Sequence, residues 1–241
     1  MAADLRETTW TDIGEGFLLV VPLGSVEQHG PHLPLVVDSL VADAVARGLS
    51  EELAARGIPT ALGPALPYGA SGEHQGFPGT VSVGTEALRL LLVELARSAT
   101  EWASGVVFVT GHGGNIDALE QAVALLRDEG RLVCWTGCGV PGGDAHAGRT
   151  ETSLMLHLAP WSVRPSRIAP GTTTPLSSLM ARMRQSGVRA VSPSGVLGDP
   201  RGASAAEGSD LVAAVVHRAC NDVMALLGHQ AAWRMEVRSD E

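Results

Sequence analysis

Short apolar runs alternate along this chain with amphipathic segments, and this alternation limits the fold more than any other feature. The runs at 17–23 and 105–110 are too short for buried helices and predict buried strands. Further strands are predicted at 58–66, where prolines interrupt the run, and at 131–136. Apolar residues recur at helical spacing in the segments between them, at 39–56, 85–103 and 116–128. Strands that alternate with helices predict an α/β fold with a mostly parallel central sheet.

Composition narrows the class of protein. The 241 residues are 45% hydrophobic and 18% charged, which predicts one globular domain over residues 1–241. The net charge of −9, without a basic stripe, argues against nucleic acid as a partner. No apolar run approaches the ~18–20 residues that span a membrane, and residues 1–10 do not resemble a signal peptide. Three cysteines without a C-x-x-C pair indicate a reducing compartment. We therefore expect a cytoplasmic protein.

Ligand-type side chains follow the first predicted strand directly. Glu27 and His29 are two residues apart, so they face the same side of an extended chain. Pro31 and Pro34 disfavour helix and predict a stiff loop. Asp38 comes next, at the expected N-cap of the following helix. A carboxylate, an imidazole and a second carboxylate on a rigid loop suit a divalent metal ion.

Three further polar clusters lie in loops or at helix starts near glycine. They are Glu73 with His74, His112 with Asn115, and His146 with Glu151. In parallel sheets, sites lie beyond the carboxyl ends of the strands. Because the Glu27 cluster and His112 each follow an apolar strand, we expect them to share one site.

These residue types fit a site for two metal ions. Ions about 3.5–4 Å apart need a bridging carboxylate, and Asp38 is the natural candidate. Glu27 with His112 could hold one ion, and His29 with a further carboxylate the other. Water between the ions becomes hydroxide near neutral pH and attacks a carbonyl. His146 suits delivery of a proton to the leaving nitrogen, because of its titration range.

Each of these residues also has a purely structural interpretation. Asp38 could only cap its helix, and Glu151 could be a first-turn acid favoured by the helix dipole. Glu73 and His74 could brace their loop as easily as contact substrate. A serine hydrolase is disfavoured because no Gly-x-Ser-x-Gly motif occurs, and phosphate-loop and dinucleotide motifs are absent too. All 17 basic residues are arginine, which excludes Schiff-base catalysis by lysine.

Over about residues 15–160 the chain resembles the creatininase family of metal-dependent amide hydrolases. The motifs that carry the resemblance are Gly24-Ser-Val-Glu27-Gln-His29-Gly-Pro-His-Leu-Pro-Leu with Asp38, Glu73-His74-x-x-Phe-Pro-Gly-Thr, Gly111-His112-Gly-Gly-Asn, and His146-Ala-Gly-x-x-Glu151-Thr. The resemblance implies a three-layer α/β/α sandwich, a two-metal site and a homo-oligomer, often a hexamer.

The resemblance also implies roles for individual residues. By position, Glu27, His29, Asp38 and His112 correspond to metal ligands, and His146 to the catalytic histidine. Glu73, His74 and Asn115 are expected to contact substrate. In one departure, creatinine-hydrolysing members carry a glutamate where this chain has Gly114. This weakens creatinine as the substrate and makes Glu151 our candidate for the last ligand.

Within the family, segment 137–153 is most similar to members that process a modified precursor peptide. The implied reaction removes the modified C-terminal Val-Tyr dipeptide, with Fe²⁺ and Zn²⁺ as the implied metals and Mn²⁺ as an alternative. A second hypothesis is a small-molecule amidohydrolase of the creatininase or formamide-hydrolysing type. A third is a non-catalytic oligomer with a structural metal, which the carboxylate-rich set disfavours because structural sites usually use Cys and His. Residues 160–206 are expected to cover the site or to form an oligomer surface, with a short helix near 176–184.

Overall fold

Five parallel strands form a single sheet at the centre of the protein. The computed structural model describes the backbone of residues 2–239 and the side chains of residues 2–227. The strands are β1 (Ala2–Asp4), β2 (Leu18–Leu23), β3 (Thr60–Leu62), β4 (Gly105–Thr110) and β5 (Val133–Gly137). Their order in the sheet is β1-β3-β2-β4-β5, and every neighbouring pair is parallel.

Helices cover both faces of the sheet. They are α1 (Val37–Ala55), α2 (Thr85–Ala99), α3 (Ile116–Asp128), α4 (Arg149–Leu158), α5 (Leu176–Ser186) and α6 (Ala205–Ser239). Helices α1, α4 and α6 pack against one another on one face, and α2 packs against α3 on the other. The predicted three-layer α/β/α sandwich is confirmed. None of the described helices is both long enough and apolar enough to cross a bilayer.

The two core layers follow from the alternation of side chains along β2. Leu18 and Val20 point into the core beneath α1, α4 and α6, whereas Leu19 and Val21 point into the core beneath α2 and α3. All four are buried. A strand buried on both faces needs apolar residues at consecutive positions, which explains the continuous apolar run at 17–23.

Helix α2 provides a matched test of this packing. Leu92 is fully buried, whereas Leu90 on the same helix is 55% exposed. Leu92→Ala should lower the free energy of unfolding by about 2–5 kcal/mol, because it leaves a cavity in the core. Leu90→Ala should change it by no more than about 0.5 kcal/mol. Urea unfolding of both variants measures the difference, and equal losses would contradict the assigned core.

Some predicted boundaries differ from the structure. Strand β1 was not predicted, because three residues carry no usable periodicity. The strand expected at 58–66 contains only Thr60–Leu62, since Pro59 and Pro64 cannot donate to a ladder. The expected N-cap role of Asp38 is wrong: Val36 is the N-cap, and Asp38 lies within the first turn of α1.

The sheet order places a crevice between the carboxyl ends of β2 and β4. From β2 the chain passes through α1 to β3 on one side, then through α2 and over the opposite face to β4. Ligands of open α/β sheets bind at such a switch point. The first turn of α1 packs closely against the loop after β4 at this crevice. The approach is so close that a Cβ on Gly111 would lie 2.2 Å from the carbonyl oxygen of Asp38.

Candidate metal centre

Polar side chains from four loop regions converge at this crevice. Glu27 and His29 follow β2, and Asp38 is in the first turn of α1. His112 follows β4, and Glu151 is in the first turn of α4, beyond β5. The remaining members are His146, just before α4, and the short 3₁₀ segment Gly72–His74 that follows β3. The expectation of one shared site agrees with this placement.

One potential metal site is formed by Glu27, Asp38 and His112. The Nδ1 atom of His112 is 3.2 Å from Glu27 Oε2 and 3.8 Å from Asp38 Oδ2. One ligand atom from each residue lies within 4.8 Å of the other two, and all three residues are buried. Two carboxylates and an imidazole at these separations can surround a single divalent ion.

A second potential site uses the other oxygen of Asp38. The Nε2 atom of His29 is 3.4 Å from Asp38 Oδ1 and 3.7 Å from Glu151 Oε2. His146 Nδ1 lies 4.0 Å from Glu151 Oε2. One ligand atom from each of His29, His146 and Glu151 lies within 4.8 Å of the other two. Asp38 therefore faces a histidine with each oxygen, as a bridging carboxylate does. A third group, Glu27 with His74 and His146, overlaps the other two.

Backbone carbonyls orient three of the histidines. In each case one ring nitrogen is within hydrogen-bonding distance of a carbonyl, which can only accept, so that nitrogen carries the proton. The pairs are His29 Nδ1 with Glu27 O at 3.2 Å, His112 Nε2 with Ala70 O at 3.3 Å, and His146 Nε2 with Gln28 O at 2.7 Å. The other nitrogen of each ring faces the carboxylates, where its lone pair can bind a metal ion, as in metal-ligating histidines.

Several atoms at the centre of the cluster have no hydrogen-bond partner among the described residues. They are both carboxylate oxygens of Glu27, Asp38 Oδ2 and His29 Nε2. Glu27 and His29 are fully buried, and Asp38 is 3% exposed. Buried carboxylates without partners are unfavourable, whereas a bound cation satisfies both their charge and their lone pairs. The donor set therefore fits divalent metal ions.

The pKa shifts indicate excess negative charge in the cluster. Burial and the neighbouring carboxylate of Glu27 raise the pKa of Asp38 to about 6. Burial lowers the pKa of His29, but the carboxylates of Asp38 and Glu151 outweigh burial and bring it to about 10. Likewise, burial opposes charge on His112, yet Glu27 holds its pKa well above the usual value. Without a metal ion, protons supply the positive charge that these carboxylates require.

His74 and His146 behave differently. Burial lowers the pKa of His74 to about 3. Burial, with a smaller contribution from His29, also lowers the pKa of His146. Both imidazoles are therefore neutral near pH 7. His74 lines the cavity described below, and its Nε2 lies 3.3 Å from Glu27 Oε1, so this ring also contacts a candidate ligand.

Gln28 is a site residue that sequence reasoning missed. Its side-chain amide nitrogen is 2.9 Å from His74 Nδ1 and 3.2 Å from the carbonyl oxygen of Gly195. It is also 2.9 Å from His146 Nε2, whose proton is directed to the Gln28 carbonyl instead. The period-two argument placed Gln28 on the side opposite Glu27 and His29. The chain is not a strand at this point, and the side chain turns toward two histidines.

Asn115 is placed as a brace. It is fully buried, and its Oδ1 accepts a hydrogen bond from the backbone of Ala70. Its Nδ2 donates to the carbonyl of Gly24 and to Thr110 Oγ1. It is not among the residues that line the cavity. These contacts join the loops after β2, β3 and β4, and they leave the amide poorly placed for the predicted contact with substrate.

A cavity of about 610 Å³ opens onto the carboxylates. Glu73 lines it, with Oε1 3.4 Å from His112 Nε2. Helix α5 also contributes lining residues, so part of the 160–206 region covers the site. A second cavity of about 430 Å³ lies beside the first. The two cavities share Glu73, Gly114 and Asp117 as lining residues, and together they form an extended groove.

The family model for creatininase, described as creatinine amidohydrolase, matches residues 6–223. The chain belongs to the creatininase family. A creatininase crystal structure superposes with a TM-score of 0.75 at 25% identity, covering 92% of this chain and 96% of that one. The matched family is a family of amide hydrolases.

Two creatininase-family relatives are more similar in sequence. The mycofactocin precursor peptide peptidase of Mycobacterium tuberculosis is 57% identical over 203 residues, which cover 82% of this chain and 81% of the relative. The protein of that name from Mycolicibacterium smegmatis is 56% identical over 201 residues, which cover 83% and 81%. These similarities extend well beyond the site motifs.

Proposed function

We propose that this protein is a dinuclear metallopeptidase that removes the modified C-terminal Val-Tyr dipeptide from the mycofactocin precursor peptide. The main support for a metal-dependent reaction is the position of Asp38, whose two oxygens face His112 and His29. Several potential metal-ligand atoms around it are buried and have no hydrogen-bond partner among the described residues. The relatives named mycofactocin precursor peptide peptidase support the choice of substrate.

Glu27, Asp38 and His112 would hold one ion, and His29, Asp38 and Glu151 the other. Imidazole and carboxylate ligands accept Zn²⁺, Fe²⁺ and Mn²⁺, and we propose Fe²⁺ and Zn²⁺ as the natural pair. Bound ions would supply Lewis acidity, which polarises the amide carbonyl and lowers the pKa of water so that hydroxide is available as the nucleophile at neutral pH. Glu151 is held for this role by the backbone N–H of Ala147, 2.5 Å from its Oε2.

His146 acts as the proton carrier. Its Nε2 is anchored on the carbonyl of Gln28, and its Nδ1 faces the space between Glu27 and Glu151, at 3.9 and 4.0 Å. A neutral imidazole in this position accepts the proton that the attacking water loses. It then delivers that proton to the leaving amide nitrogen.

Glu73 is the residue best placed to accept a hydrogen bond from a peptide N–H. Its side chain is 31% exposed and lines both cavities. His74 is nearly buried and would act mainly by positioning Glu27. The single domain and the homo-hexamer remain predictions, and light scattering of the metal-loaded protein measures the second.

The second candidate is a small-molecule amidohydrolase, which the match to creatininase supports. The groove formed by the two cavities favours a peptide, because a small ring needs only the space beside the ligands. Mass spectrometry of the modified precursor peptide, with and without metal-loaded protein, distinguishes the candidates. Loss of a C-terminal dipeptide that a chelator blocks would support the peptidase. Turnover of a cyclic amide or formamide, with no cleavage of the peptide, would support the alternative.

Gly114→Ala tests the role of His112 by displacing it. A Cβ at Gly114 would lie 2.3 Å from His112 Nε2 and 2.5 Å from the carbonyl oxygen of Ala70. The substitution must disturb the bond that orients His112, so metal affinity should fall about 10- to 100-fold. Gly113→Ala is the matched control, because its Cβ would meet nothing within 4 Å. Competition with a fluorescent chelator measures both affinities, and wild-type affinity in Gly114→Ala would refute the role of that contact.

A further inference from the structure

The side-chain amide of Gln28 is held in a single orientation. The N–H of Gly30 can only donate, and it lies 2.9 Å from Gln28 Oε1. The carbonyl of Gly195 can only accept, and it lies 3.2 Å from Gln28 Nε2. Either contact identifies the oxygen and nitrogen ends of the amide, and the two contacts agree. Gln28 is buried, and a Cβ on Gly195 would lie 1.7 Å from its Oε1, so the chain packs closely around this amide.

This orientation determines which nitrogen of His74 carries the proton. Gln28 Nε2 has two protons, and its partners include the Gly195 carbonyl and His74 Nδ1, the latter at 2.9 Å. His74 Nδ1 has no other hydrogen-bond partner among the described residues. Because Nδ1 accepts from the amide, it is bare, and the ring proton is on Nε2. That N–H faces Glu27 Oε1 at 3.3 Å.

The backbone of Gln28 acts on a second histidine in the opposite sense. His146 Nε2 lies 2.7 Å from the Gln28 carbonyl oxygen, closer than the 2.9 Å to the side-chain nitrogen, and it donates to that oxygen. Its Nδ1 is therefore bare and faces Glu27 and Glu151. The rings of His74 and His146 lie only 4.6 Å apart between centroids. One presents an N–H to the site, and the other presents a bare nitrogen.

We propose that Gln28 is a positioning residue that gives the two histidines opposite roles, His74 as a donor toward the site and His146 as an acceptor. The proposal rests on the proposed metal centre and on His146 as its proton carrier. A protonated Nε2 cannot bind a metal ion, so Glu27, His74 and His146 do not form a third ion site, although their ligand atoms lie within 4.8 Å of one another. The His74 N–H instead attracts Glu27 Oε1, which leaves Oε2, on the side of His112, for the ion.

Nuclear magnetic resonance tests the proposal without turnover. Long-range proton–nitrogen correlation spectra of zinc-loaded protein distinguish bare, protonated and metal-bound ring nitrogens. In wild type, His74 and His146 should each show a protonated Nε2 and a bare Nδ1. Gln28→Glu should protonate His74 Nδ1, because a carboxylate only accepts. It should leave the proton on His146 Nε2, because the substitution keeps the backbone carbonyl that orients this ring.

Metal affinity, measured by competition with a fluorescent chelator, gives a second readout. Gln28→Met has a side chain of similar length without a donor. It should weaken zinc binding about 10-fold, the lower end of the range for contacts that orient a ligand. His74→Met should cost about 10- to 100-fold. The double variant should cost no more than His74→Met alone, because Gln28 acts through His74. Gln121→Met should match wild type, since Gln121 is exposed on α3 and lines neither cavity.

A wild-type His74 with its proton on Nδ1, or with Nε2 bound to zinc, would overturn the proposal. So would a bare His74 Nδ1 in Gln28→Glu, or additive losses of affinity in the double variant. If wild-type protein bound no zinc, the proposed metal centre would fail. The position of the His74 proton in the metal-free protein would then still decide the role of Gln28.

Discussion

Asp38→Asn should reduce kcat/KM by on the order of 10³-fold or more and lower the metal content below two ions per chain. Asparagine has nearly the same shape, but its amide nitrogen is a donor and cannot be a ligand. The oxygen that faces His29 and the oxygen that faces His112 can then no longer both bind an ion. Plasma emission spectroscopy of the dialysed variant measures the metal, and peptide cleavage measures the rate.

Asp43→Asn on the same helix is the control. The carboxylate of Asp43 pairs with Arg6 at 3.2 Å and lies outside the cavity lining, so this variant should keep both ions and the wild-type rate. Misfolding gives a different pattern from loss of metal. Asparagine is nearly isosteric with aspartate, so the metal-free variant should keep the circular dichroism spectrum of metal-free wild type, which a misfolded variant would not. Two bound ions and normal turnover in Asp38→Asn would rule out the bridging role.

His146→Ala should keep both ions and lose about 10²- to 10⁴-fold in kcat, the range for a general acid–base catalyst. The side chain faces Glu27 and Glu151 with Nδ1, and its removal leaves a space beside the carbonyl of Gln28. Added imidazole should restore part of the rate by occupying that space. Single-turnover cleavage at saturating enzyme isolates the chemical step.

His157→Ala is the matched control for His146→Ala, since His157 is exposed on α4 and does not line the cavity. Near-normal turnover in His146→Ala would eliminate the proton-carrier role. Loss of one ion would instead make His146 a ligand, as its grouping with His29 and Glu151 allows.

The layers of the fold could be predicted because they depend on local patterns. Strand β2 is apolar throughout, β4 is apolar up to its last residue, Thr110, and α3 begins and ends at the predicted residues. Strand β1 could not be predicted, since it exists only because the edge of β3 offers unpaired backbone groups. Asp38 was assigned to the wrong helix position, because its local pattern suits an N-cap while its tertiary neighbours are His29 and His112.

Site residues were predictable where they follow the carboxyl ends of neighbouring parallel strands. Glu27 and His112 come directly after neighbouring parallel strands, so the topology brings them together. Gln28 could not be found in this way, because its contacts lie near residues 74, 146 and 195, far away in sequence. Asn115 is the opposite case: the family resemblance implied a substrate contact, whereas its hydrogen bonds to the loops after β2 and β3 make it a brace. The amphipathic spacing of α5 likewise does not reveal that its partner is a cavity.

The distribution of the candidate ligands along the chain has a consequence for biogenesis. The first, Glu27, and the last, Glu151, are separated by three further strands of the sheet and the helices between them. On a ribosome that adds about 5–20 residues per second, several seconds pass between the synthesis of these two side chains. The nascent chain cannot assemble both coordination shells before α4 has emerged. Occupancy of both proposed ion sites therefore requires α4 and comes late in the synthesis of the chain.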